Sequence, residues 1–202
     1  MSTVLCIFTR EPVLGAVKRR LAADIGDAAA FDAHKRLLDD TLERLANVEG
    51  MVSELWVAGS AAAMADQVPP GIAALREQCP GDLGVRMSDA LATSLIRAPR
   101  ALVVGSDCPG IDATYVSLAA VALASHDVVL GPAEDGGYGL IGTRVRDPAV
   151  VKTLFHDIPW GTDRVLASTL HRARAMSLSV DLLPEIWDVD DVAGWRRYLD
   201  SR

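Results

Sequence analysis

The sequence contains few cysteines, and none stands where a disulfide framework or a zinc site would need it. Cys6, Cys79 and Cys108 are the only three, an odd number without close spacing. Separated cysteines of this kind are typical of reduced thiols. The CxxC and HExxH patterns of zinc sites are missing too, so the sequence predicts no dedicated zinc centre.

Positive charge is also in short supply. The chain has 20 Lys and Arg against 27 Asp and Glu, which gives a formal net charge of -7 and a sequence pI of about 5.0. Nucleic acid is held through many basic contacts with its phosphates, so this balance argues against a nucleic-acid partner. A small anionic ligand is still compatible with it, because a few well-placed basic residues suffice locally.

Long apolar runs and the common nucleotide-binding fingerprints are missing as well. No stretch approaches the roughly 20 apolar residues of a membrane span, and residues 1–12 lack the basic start and apolar length of a signal peptide. We therefore expect a cytoplasmic protein without a membrane span. GxxxxGK(S/T) and GxGxxG do not occur, which excludes the ordinary P-loop and dinucleotide fingerprints.

What the chain does contain is a globular composition with regularly spaced apolar segments. Its 202 residues are 50% hydrophobic and 23% charged, enough for one domain with a buried core. Short apolar runs predict strands, and apolar residues at helical spacing predict helices. The predicted strands are 3–8, 54–58, 72–76, 101–107, 127–131, 137–142 and 178–183, and the predicted helices are 27–47, 61–67, 84–97, 112–124, 162–175 and 191–199.

Strands that alternate with helices indicate an α/β fold, a mostly parallel sheet with helices on both faces. Continuous apolar strands fit burial on both sides, and the two strands around Gly136-Gly137 can add an antiparallel pair. No repeat or linker divides the chain, so we predict a single domain over residues 1–202. In open sheets of this class the ligand lies beyond the carboxyl ends of the strands, which makes the loops there the candidate site.

The loop after the first strand is basic. It runs through residues 10–22 and contains Arg10, Gly15, Lys18, Arg19 and Arg20. A glycine turn followed by Lys and Arg suits a phosphate group, while the alternative is a basic helix start on the surface. Basic residues are unfavourable near a helix N-terminus unless an anion is present, which favours the phosphate site.

Aspartates follow two other predicted elements. Asp107 ends the clearest buried strand, where a carboxylate suits a hard divalent cation that bridges phosphate oxygens. The alternative is a helix cap, for which Asp112 is the better candidate. In the late segment, an extended backbone would put Asp188 and Asp190 on one side, where they can complete a metal shell with Asp107, while another acid there caps the last helix.

The stretch 78–87 allows two interpretations. Gly81, Asp82 and Gly84 open a predicted helix, either as a capped turn or as a backbone surface against a base or ribose. The sequence alone does not separate the two, and both remain open.

The stretch 131–138 also allows two interpretations. Glu134 and Asp135 precede Gly136-Gly137, either as a solvated turn or as a site wall in which one acid faces the ligand. Trp160, in a turn before a helix, either stacks on a ligand ring or closes the core. No histidine has an evident Ser or Cys partner, so a hydrolase triad is not predicted.

Several of these segments, in their order along the chain, resemble one family. They are FTREPVLGAVKRRL at 8–21, GDLGVRM at 81–87, GSDCP at 105–109, GPAEDGGY at 131–138, WGT at 160–162 and DVD at 188–190. Together they resemble the bacterial radical-SAM/selenodomain-associated transferases, placed among the nucleotide-diphospho-sugar transferases of the glycosyltransferase A type. The resemblance extends from residue 3 to about residue 199. The basic first loop and the DVD segment are also similar to those of molybdenum-cofactor and phospholactate nucleotidyltransferases.

The resemblance implies a nucleotide-binding half, an acceptor half and a divalent cation, Mg²⁺ or Mn²⁺, that carries a nucleotide diphosphate on Asp107. With the motifs above, it assigns a role to each candidate residue. Catalytic roles fall to Asp107, Glu134 and Asp135; nucleotide and phosphate binding to Arg10, Gly15, Lys18, Arg20, Gly81, Asp82 and Gly84; metal binding to Asp107, Asp188 and Asp190; and the acceptor side to Gly136, Gly137, Tyr138 and Trp160.

The chain departs from the family pattern at three places. Arg10 stands where the family usually has Lys, and Arg19 stands where it has Thr. Arg10 keeps the positive charge, so anion binding is retained. Asp191-Val192 replaces the usual Thr-Pro turn, which leaves the placement of the neighbouring acids less determined.

The sequence thus supports one leading hypothesis and two rivals. The leading one is metal-dependent transfer of a sugar from a nucleotide-sugar to a small acceptor. In the first rival, a nucleotidyltransferase, a phosphorylated substrate attacks a nucleoside triphosphate and releases pyrophosphate. The second rival is a nucleotide-binding module without catalysis. The base, the sugar, the acceptor and the oligomeric state are not determined by the sequence.

Overall fold

A single seven-stranded sheet organises the molecule in the computed structural model, which describes residues 2–202. The strands are β1 (Thr3–Arg10), β2 (Met51–Ala58), β3 (Ile72–Glu77), β4 (Arg100–Gly105), β5 (Val128–Pro132), β6 (Tyr138–Thr143) and β7 (Val180–Leu182). Their order across the sheet is β3-β2-β1-β4-β6-β5-β7. Only β6 runs antiparallel to its neighbours, between β4 and β5, which confirms the predicted antiparallel pair.

Within residues 2–202, seven α-helices and one 3₁₀ helix accompany the strands, and the last helix follows the last strand. The α-helices are α1 (Arg19–Ile25), α2 (Asp27–Leu45), α3 (Leu83–Leu95), α4 (Ala113–Ala122), α5 (Pro148–Leu154), α6 (Val165–Ala175) and α7 (Val192–Asp200), and the 3₁₀ helix is Ala62–Gln67. No helix within residues 2–202 is long and apolar enough to cross a membrane.

The two faces of the sheet are covered by different helices. On one face, Leu38 and Leu42 of α2 and Val116 of α4 join the core formed with alternate strand residues. On the other, α3, α5 and α6 form a second core against the remaining strand residues. A strand covered on both faces is buried at nearly every position, and seven of the eight residues of β1 are buried, five of them apolar.

The predicted α/β architecture is therefore confirmed, with differences in three elements. The predicted helix 61–67 is a 3₁₀ helix, α5 was not predicted, and α1 corresponds to the basic helix start that was the alternative interpretation of the 10–22 loop. α5 is only seven residues long and begins at Pro148 behind a cap from Asp147, whose Oδ1 accepts from the Ala149 N–H at 2.9 Å. Seven residues give two turns at most, too few for a periodic pattern.

Candidate functional site

A cleft of about 650 Å³ opens where the carboxyl ends of β1, β2, β4 and β5 meet. Because β6 is antiparallel, its first residue, Tyr138, lies at this same edge. The start of α3, the turn around Trp160 and the segment around Asp188 and Asp190 complete the lining. Parallel strands bring their following loops together in this way, which explains why residues distant in sequence share one site.

Lys18, in the loop after β1, forms hydrogen bonds with the loop of Asp107 and with the segment of Val189. It precedes α1 in the left-handed backbone conformation, with φ 47° and ψ 47°. Its side chain is only 7% exposed, and Nζ donates to Asp107 Oδ2 at 3.0 Å and to the carbonyl oxygen of Val189 at 2.7 Å. Non-glycine residues in this conformation are uncommon and cluster at functional sites, where surrounding contacts hold them.

Asp107 lies just past β4, and its side chain is 42% exposed to the cleft. Burial alone would raise the pKa of its carboxyl, but the adjacent Lys18 ammonium outweighs burial and holds that pKa below its usual value. The backbone is fixed as well, because the Val189 N–H donates to the Asp107 carbonyl at 2.9 Å. Asp107 is therefore an ionised carboxylate that points into the cleft from a rigid position.

The pKa of Asp188 is shifted in the opposite direction from that of Asp107. Burial, followed by the negative charges of Asp107 and Asp135, raises its pKa from 3.8 to about 6. Asp190 also lines the cleft and pairs with Arg20 at 2.8 Å between exposed groups. The cap of the last helix is Asp191, whose Oδ1 accepts from the Gly194 N–H at 2.9 Å.

The carboxylates of the cleft suit a divalent cation that is bound partly by the ligand better than a cation that is bound by protein side chains alone. Within residues 2–202, no three His, Cys, Asp or Glu side chains converge closely enough to hold a metal ion. Asp107 and Asp188 are nevertheless close enough to raise the pKa of Asp188. Mg²⁺ is commonly bound by one or two carboxylates together with substrate phosphates and waters. Asp107 and Asp188 can provide the two carboxylates.

Basic groups line the cleft beside these carboxylates. Arg10, Arg19 and Arg20 line the cleft with Lys18. His34 of α2 lies beneath them, with Nε2 at 3.1 Å from the Arg10 carbonyl oxygen. Burial lowers the pKa of His34, so its imidazole is neutral near pH 7 and adds no positive charge.

The structure separates the two acids of the 131–138 stretch. Glu134 points away from the cleft, where its carboxylate pairs with Arg197 Nη1 at 2.8 and 3.0 Å. Asp135 lines the cleft, and its Oδ1 accepts from the Gly137 N–H at 2.8 Å. The predicted catalytic role of Glu134 therefore has no geometric basis, because its side chain faces solvent and an arginine, while Asp135 occupies a suitable position.

The two glycines of this stretch also differ. Gly137 lines the cleft, as predicted for the acceptor side. Gly136 does not: with φ +85° it packs against the backbone of Asp163, and its carbonyl accepts from the Leu166 N–H at 3.0 Å. A side chain at 136 would collide with that backbone, so this glycine fixes the turn against α6 rather than contacting a ligand.

Two aromatic residues form one wall of the cleft. Tyr138 and Trp160 contact edge to face, with ring centroids 6.4 Å apart and planes at 80°. Gly84, at the start of α3, is buried against Trp160, where a side chain would meet the indole. Tyr138 and Trp160 thus lie in the lining where an acceptor wall was predicted, whereas Gly84 serves helix packing behind it.

The stretch 78–87 reaches the cleft through other residues than those predicted. Gly15, Gly81 and Asp82 are outside the lining, and Asp82 caps α3, its Oδ1 accepting from the Val85 N–H at 2.9 Å. The capped turn is therefore what the structure shows there. Gln78, Leu83, Arg86 and Met87 line the cleft instead.

Several lining residues were missed by the sequence analysis. Ser106, the neighbour of Asp107, was not predicted as a site residue. Its hydroxyl donates to Thr9 Oγ1 at 3.2 Å. Gln78 follows β3, and that position was the one available signal for it. His34 sits on α2, and nothing in the sequence placed that helix under the basic loop.

Comparison with solved structures gives the same fold. The structure superposes on a protein from Desulfovibrio desulfuricans G20, provisionally described as a nucleotide-diphospho-sugar transferase, with a TM-score of 0.87 and 29% identity over 100% of this chain and 88% of that one. The 4-diphosphocytidyl-2C-methyl-D-erythritol synthase of Anaerococcus prevotii DSM 20548 has a TM-score of 0.63 at 9% identity, covering 100% and 96%. The second likeness shows the fold alone.

A manganese complex is known for another protein of this fold. Rv0371c of Mycobacterium tuberculosis H37Rv, in complex with manganese, has a TM-score of 0.57 at 18% identity and covers 100% of this chain and 98% of that chain. No curated protein matches the sequence. These likenesses support the nucleotide-diphospho-sugar transferase fold of the predicted resemblance, while its association with radical-SAM and selenodomain proteins stays a prediction.

The family model that matches covers residues 41–162, more than half of the chain. This range includes Asp107, the 131–138 stretch and Trp160, which are three of the segments that form the cleft. The chain belongs to the family described as uncharacterized protein conserved in bacteria (DUF2064).

Proposed function

We propose that this protein is a transferase that moves a glycosyl group from a nucleotide-diphospho-sugar to a small acceptor. The observation that carries the proposal is the contact between the nearly buried Lys18 ammonium and the Asp107 carboxylate at the end of β4, with Asp188 near enough for the charge of Asp107 to help raise its pKa. The D. desulfuricans relative, with its provisional description, supports the same class of donor.

The basic side of the mouth suits a diphosphate. Lys18 and Arg20 are each paired with an acid, at 3.0 and 2.8 Å, so their charges are oriented before a ligand arrives. Preorganised cations stabilise the negative charge that develops on a leaving diphosphate without reorganising during the reaction. Arg10 and Arg19 add two more positive groups to the same lining.

The acceptor would enter beside Asp135. This carboxylate is held by the Gly137 N–H and lies next to the wall of Tyr138 and Trp160. In the transfer, the bond between the sugar C1 and the phosphate oxygen breaks, and the acceptor oxygen bonds to C1. Asp135 accepts the proton that the acceptor hydroxyl loses, and the nucleoside diphosphate leaves.

The proposed transfer also uses a divalent cation. Asp107 and Asp188 would hold it together with phosphate oxygens, and when bound it supplies positive charge to the diphosphate as a Lewis acid. Burial and neighbouring carboxylates oppose ionisation of Asp188, so a nearby cation would also relieve that repulsion.

Nucleotidyl transfer is the second candidate, and the number of basic groups favours it. Arg10, Lys18, Arg19 and Arg20 all line the cleft, and because Lys18 and Arg20 are paired with Asp107 and Asp190, Arg10 and Arg19 are the groups that would hold the additional phosphate of a triphosphate. The same Asp107 site would then serve a nucleoside triphosphate. A phosphorylated substrate would attack the α-phosphorus and pyrophosphate would leave.

The test separates the two reactions by their products. The purified protein is incubated with Mg²⁺ or Mn²⁺ and either a panel of nucleotide-sugars or a panel of triphosphates, each with alcohol and phosphate-ester acceptors. Release of free nucleoside diphosphate from a nucleotide-sugar supports the proposal. Pyrophosphate release from a triphosphate supports the second candidate and contradicts the first.

Neighbouring acids provide the matched control. Asp135→Asn should lower the rate by about 10²–10⁴-fold, the usual contribution of a general base. Glu134→Gln should stay within about twofold of wild type, because that side chain faces Arg197 outside the cleft. Equal losses in the two variants would argue against Asp135 as the base.

A further inference from the structure

A second, smaller cavity lies between the loop that follows α5 and one face of α6. Its volume is about 340 Å³, near the lower end of the range of about 300–1,000 Å³ that is usual for small-ligand pockets. The loop contributes Asp157 and Ile158. The polar residues on the helix side are Arg164, Ser168, His171 and Arg172. Residues spaced three or four apart lie on the same side of a helix, so these four side chains face one space.

Positive charge predominates in this cavity. Within residues 2–202, the Arg164 guanidinium and the His171 imidazole have no hydrogen bond or ion pair with another side chain or carbonyl. Asp157 is the one acid among the described lining residues, and its Oδ2 lies 2.8 Å from His156 Nδ1 and 3.9 Å from Arg172 Nη2. The charge of Arg164 is therefore uncompensated, in a chain whose formal net charge is -7.

The donors of the cavity suit the oxygens of a phosphate. Arg172 is already oriented, because its Nη2 donates to the His156 carbonyl at 2.8 Å, and the other N–H groups of its guanidinium remain available. An arginine presents its N–H groups as a planar fork that matches phosphate oxygens in pairs. Ser168 adds a hydroxyl and His171 a ring N–H to the same lining.

This cavity is separate from the cleft, although one segment of chain forms a wall of both. Val165 and the turn at 160–162 line the cleft. Ile158 and Arg164, in the same segment, line the second cavity instead. The two linings have no residue in common, so a ligand of the second cavity does not compete for the basic groups of the cleft.

We propose that this second cavity binds the phosphate group of a small phosphorylated molecule, in contact with Arg164, His171 and Arg172. A phosphate group carries about two negative charges near pH 7, which two guanidinium groups balance better than they balance a singly charged carboxylate. The inference goes beyond the proposed function, because the site is independent of the reaction in the cleft. The ligand is inorganic phosphate or a phosphate monoester, and Ile158 and Ala167 offer apolar surface to the carbon part of a monoester.

The imidazole of His171 gives a local signal for binding. The chain has four histidines, so each Cε1–H resonance can be assigned in proton NMR spectra from single His→Gln variants. Inorganic phosphate or glycerol 3-phosphate is added at constant pH and ionic strength, with chloride as the reference anion. The His171 resonance should move and reach a plateau with phosphate but not with chloride. His126, whose ring lies 3.3 Å from the Ala122 carbonyl outside this lining, should not follow it.

Two arginines of the same segment provide the matched pair of variants. Arg164→Gln should weaken phosphate binding at His171 by about tenfold or more, the order of magnitude of one hydrogen bond to a charged group. Arg174→Gln, at an exposed position of α6 outside the lining, should stay within about twofold of wild type. Lys18→Met, which changes the cleft, should leave the response of His171 intact.

Each outcome decides the inference. A phosphate response that saturates, weakens in Arg164→Gln and persists in Lys18→Met supports the site, and tighter binding of glycerol 3-phosphate than of inorganic phosphate identifies a monoester as the ligand. A His171 resonance that moves equally with chloride, or does not reach a plateau, overturns it. Equal losses in Arg164→Gln and Arg174→Gln also overturn it, because they indicate general attraction of anions to the helix. Loss of the response in Lys18→Met places the phosphate in the cleft and overturns the inference while leaving the proposed function intact.

Discussion

Replacing Asp188 with asparagine tests whether the carboxylates at the mouth of the cleft repel one another. Burial and the charges of Asp107 and Asp135 raise the pKa of Asp188 from 3.8 to about 6. A difference of about two pKa units corresponds to about 3 kcal/mol at about 1.36 kcal/mol per unit. The cleft is open to water, and solvent screening reduces the expected effect to about 1–2 kcal/mol.

The sign of the effect follows from proton linkage. The folded protein binds the Asp188 proton more tightly than the unfolded chain, so stability is lost as the pH rises through about 6. Asparagine has no charge to bury. Asp188→Asn should therefore raise the free energy of unfolding by about 1–2 kcal/mol at pH 7.5, and the gain should vanish near pH 4, where the carboxyl is protonated in the folded protein.

Urea unfolding at pH 7.5 and pH 4 measures this difference. Glu185→Gln, an exposed acid three residues earlier, is the control and should change little. Mn²⁺ with pyrophosphate should stabilise the wild-type protein, and Asp188→Asn should lose most of that increment, because a ligand stabilises only the state that binds it. A variant that is no more stable than the control at pH 7.5 would refute the repulsion among the three acids.

Two further substitutions test the junction and the turn beside it. Lys18→Met removes the ammonium that pairs with Asp107. The affinity for pyrophosphate, measured by titration, should therefore fall at least tenfold, and the free energy of unfolding should fall by about 1–3 kcal/mol. Lys152→Met, at an exposed position of α5, is the control and should change neither quantity. Gly136→Ala adds a side chain against the Asp163 backbone and should cost about 2 kcal/mol or more in urea unfolding. Gly50→Ala has a similar positive φ with nothing within 4 Å, so it should cost only about 1 kcal/mol, and equal losses would contradict the close approach at 136.

The sequence predicted the parts of the fold that depend on local pattern. Apolar residues at helical spacing identified α2 and α3 to within two residues at either end, and the continuous apolar run at 101–107 identified β4. α1 was predicted only as an alternative, a basic helix start, because Arg19-Arg20 is an unfavourable beginning for a helix unless an anion is present. The acidic segment 188–190 faces this basic start, and Arg20 pairs with Asp190.

The site was predictable where a residue's role depends on its place at the end of a strand. Lys18 and Asp107 follow β1 and β4, and parallel strands bring such loops together whatever else the chain does. Which of Glu134 and Asp135 faces the cleft could not be predicted in this way, because it depends on the ion pair between Glu134 and the distant Arg197 and on the turn at Gly136. The side-chain position of Gln78 was not predictable either, because its amide nitrogen donates to carbonyl oxygens of Thr9 and Trp56 on two other strands.

Under the proposed function, we expect phosphate and metal binding to be linked at Lys18. Lys18 bonds both Asp107 and the Val189 carbonyl, while the Val189 side chain is buried with Leu37 and Tyr198. A phosphate bound by the Lys18 ammonium would weaken the bond of that ammonium to Asp107 and leave the carboxylate with less compensating positive charge. A cation on Asp107 would supply that charge, so each ligand should favour the other by the same factor, as thermodynamic linkage requires. Val189 also connects this junction to α7, because its N–H donates to the Asp107 carbonyl and its side chain packs with Tyr198.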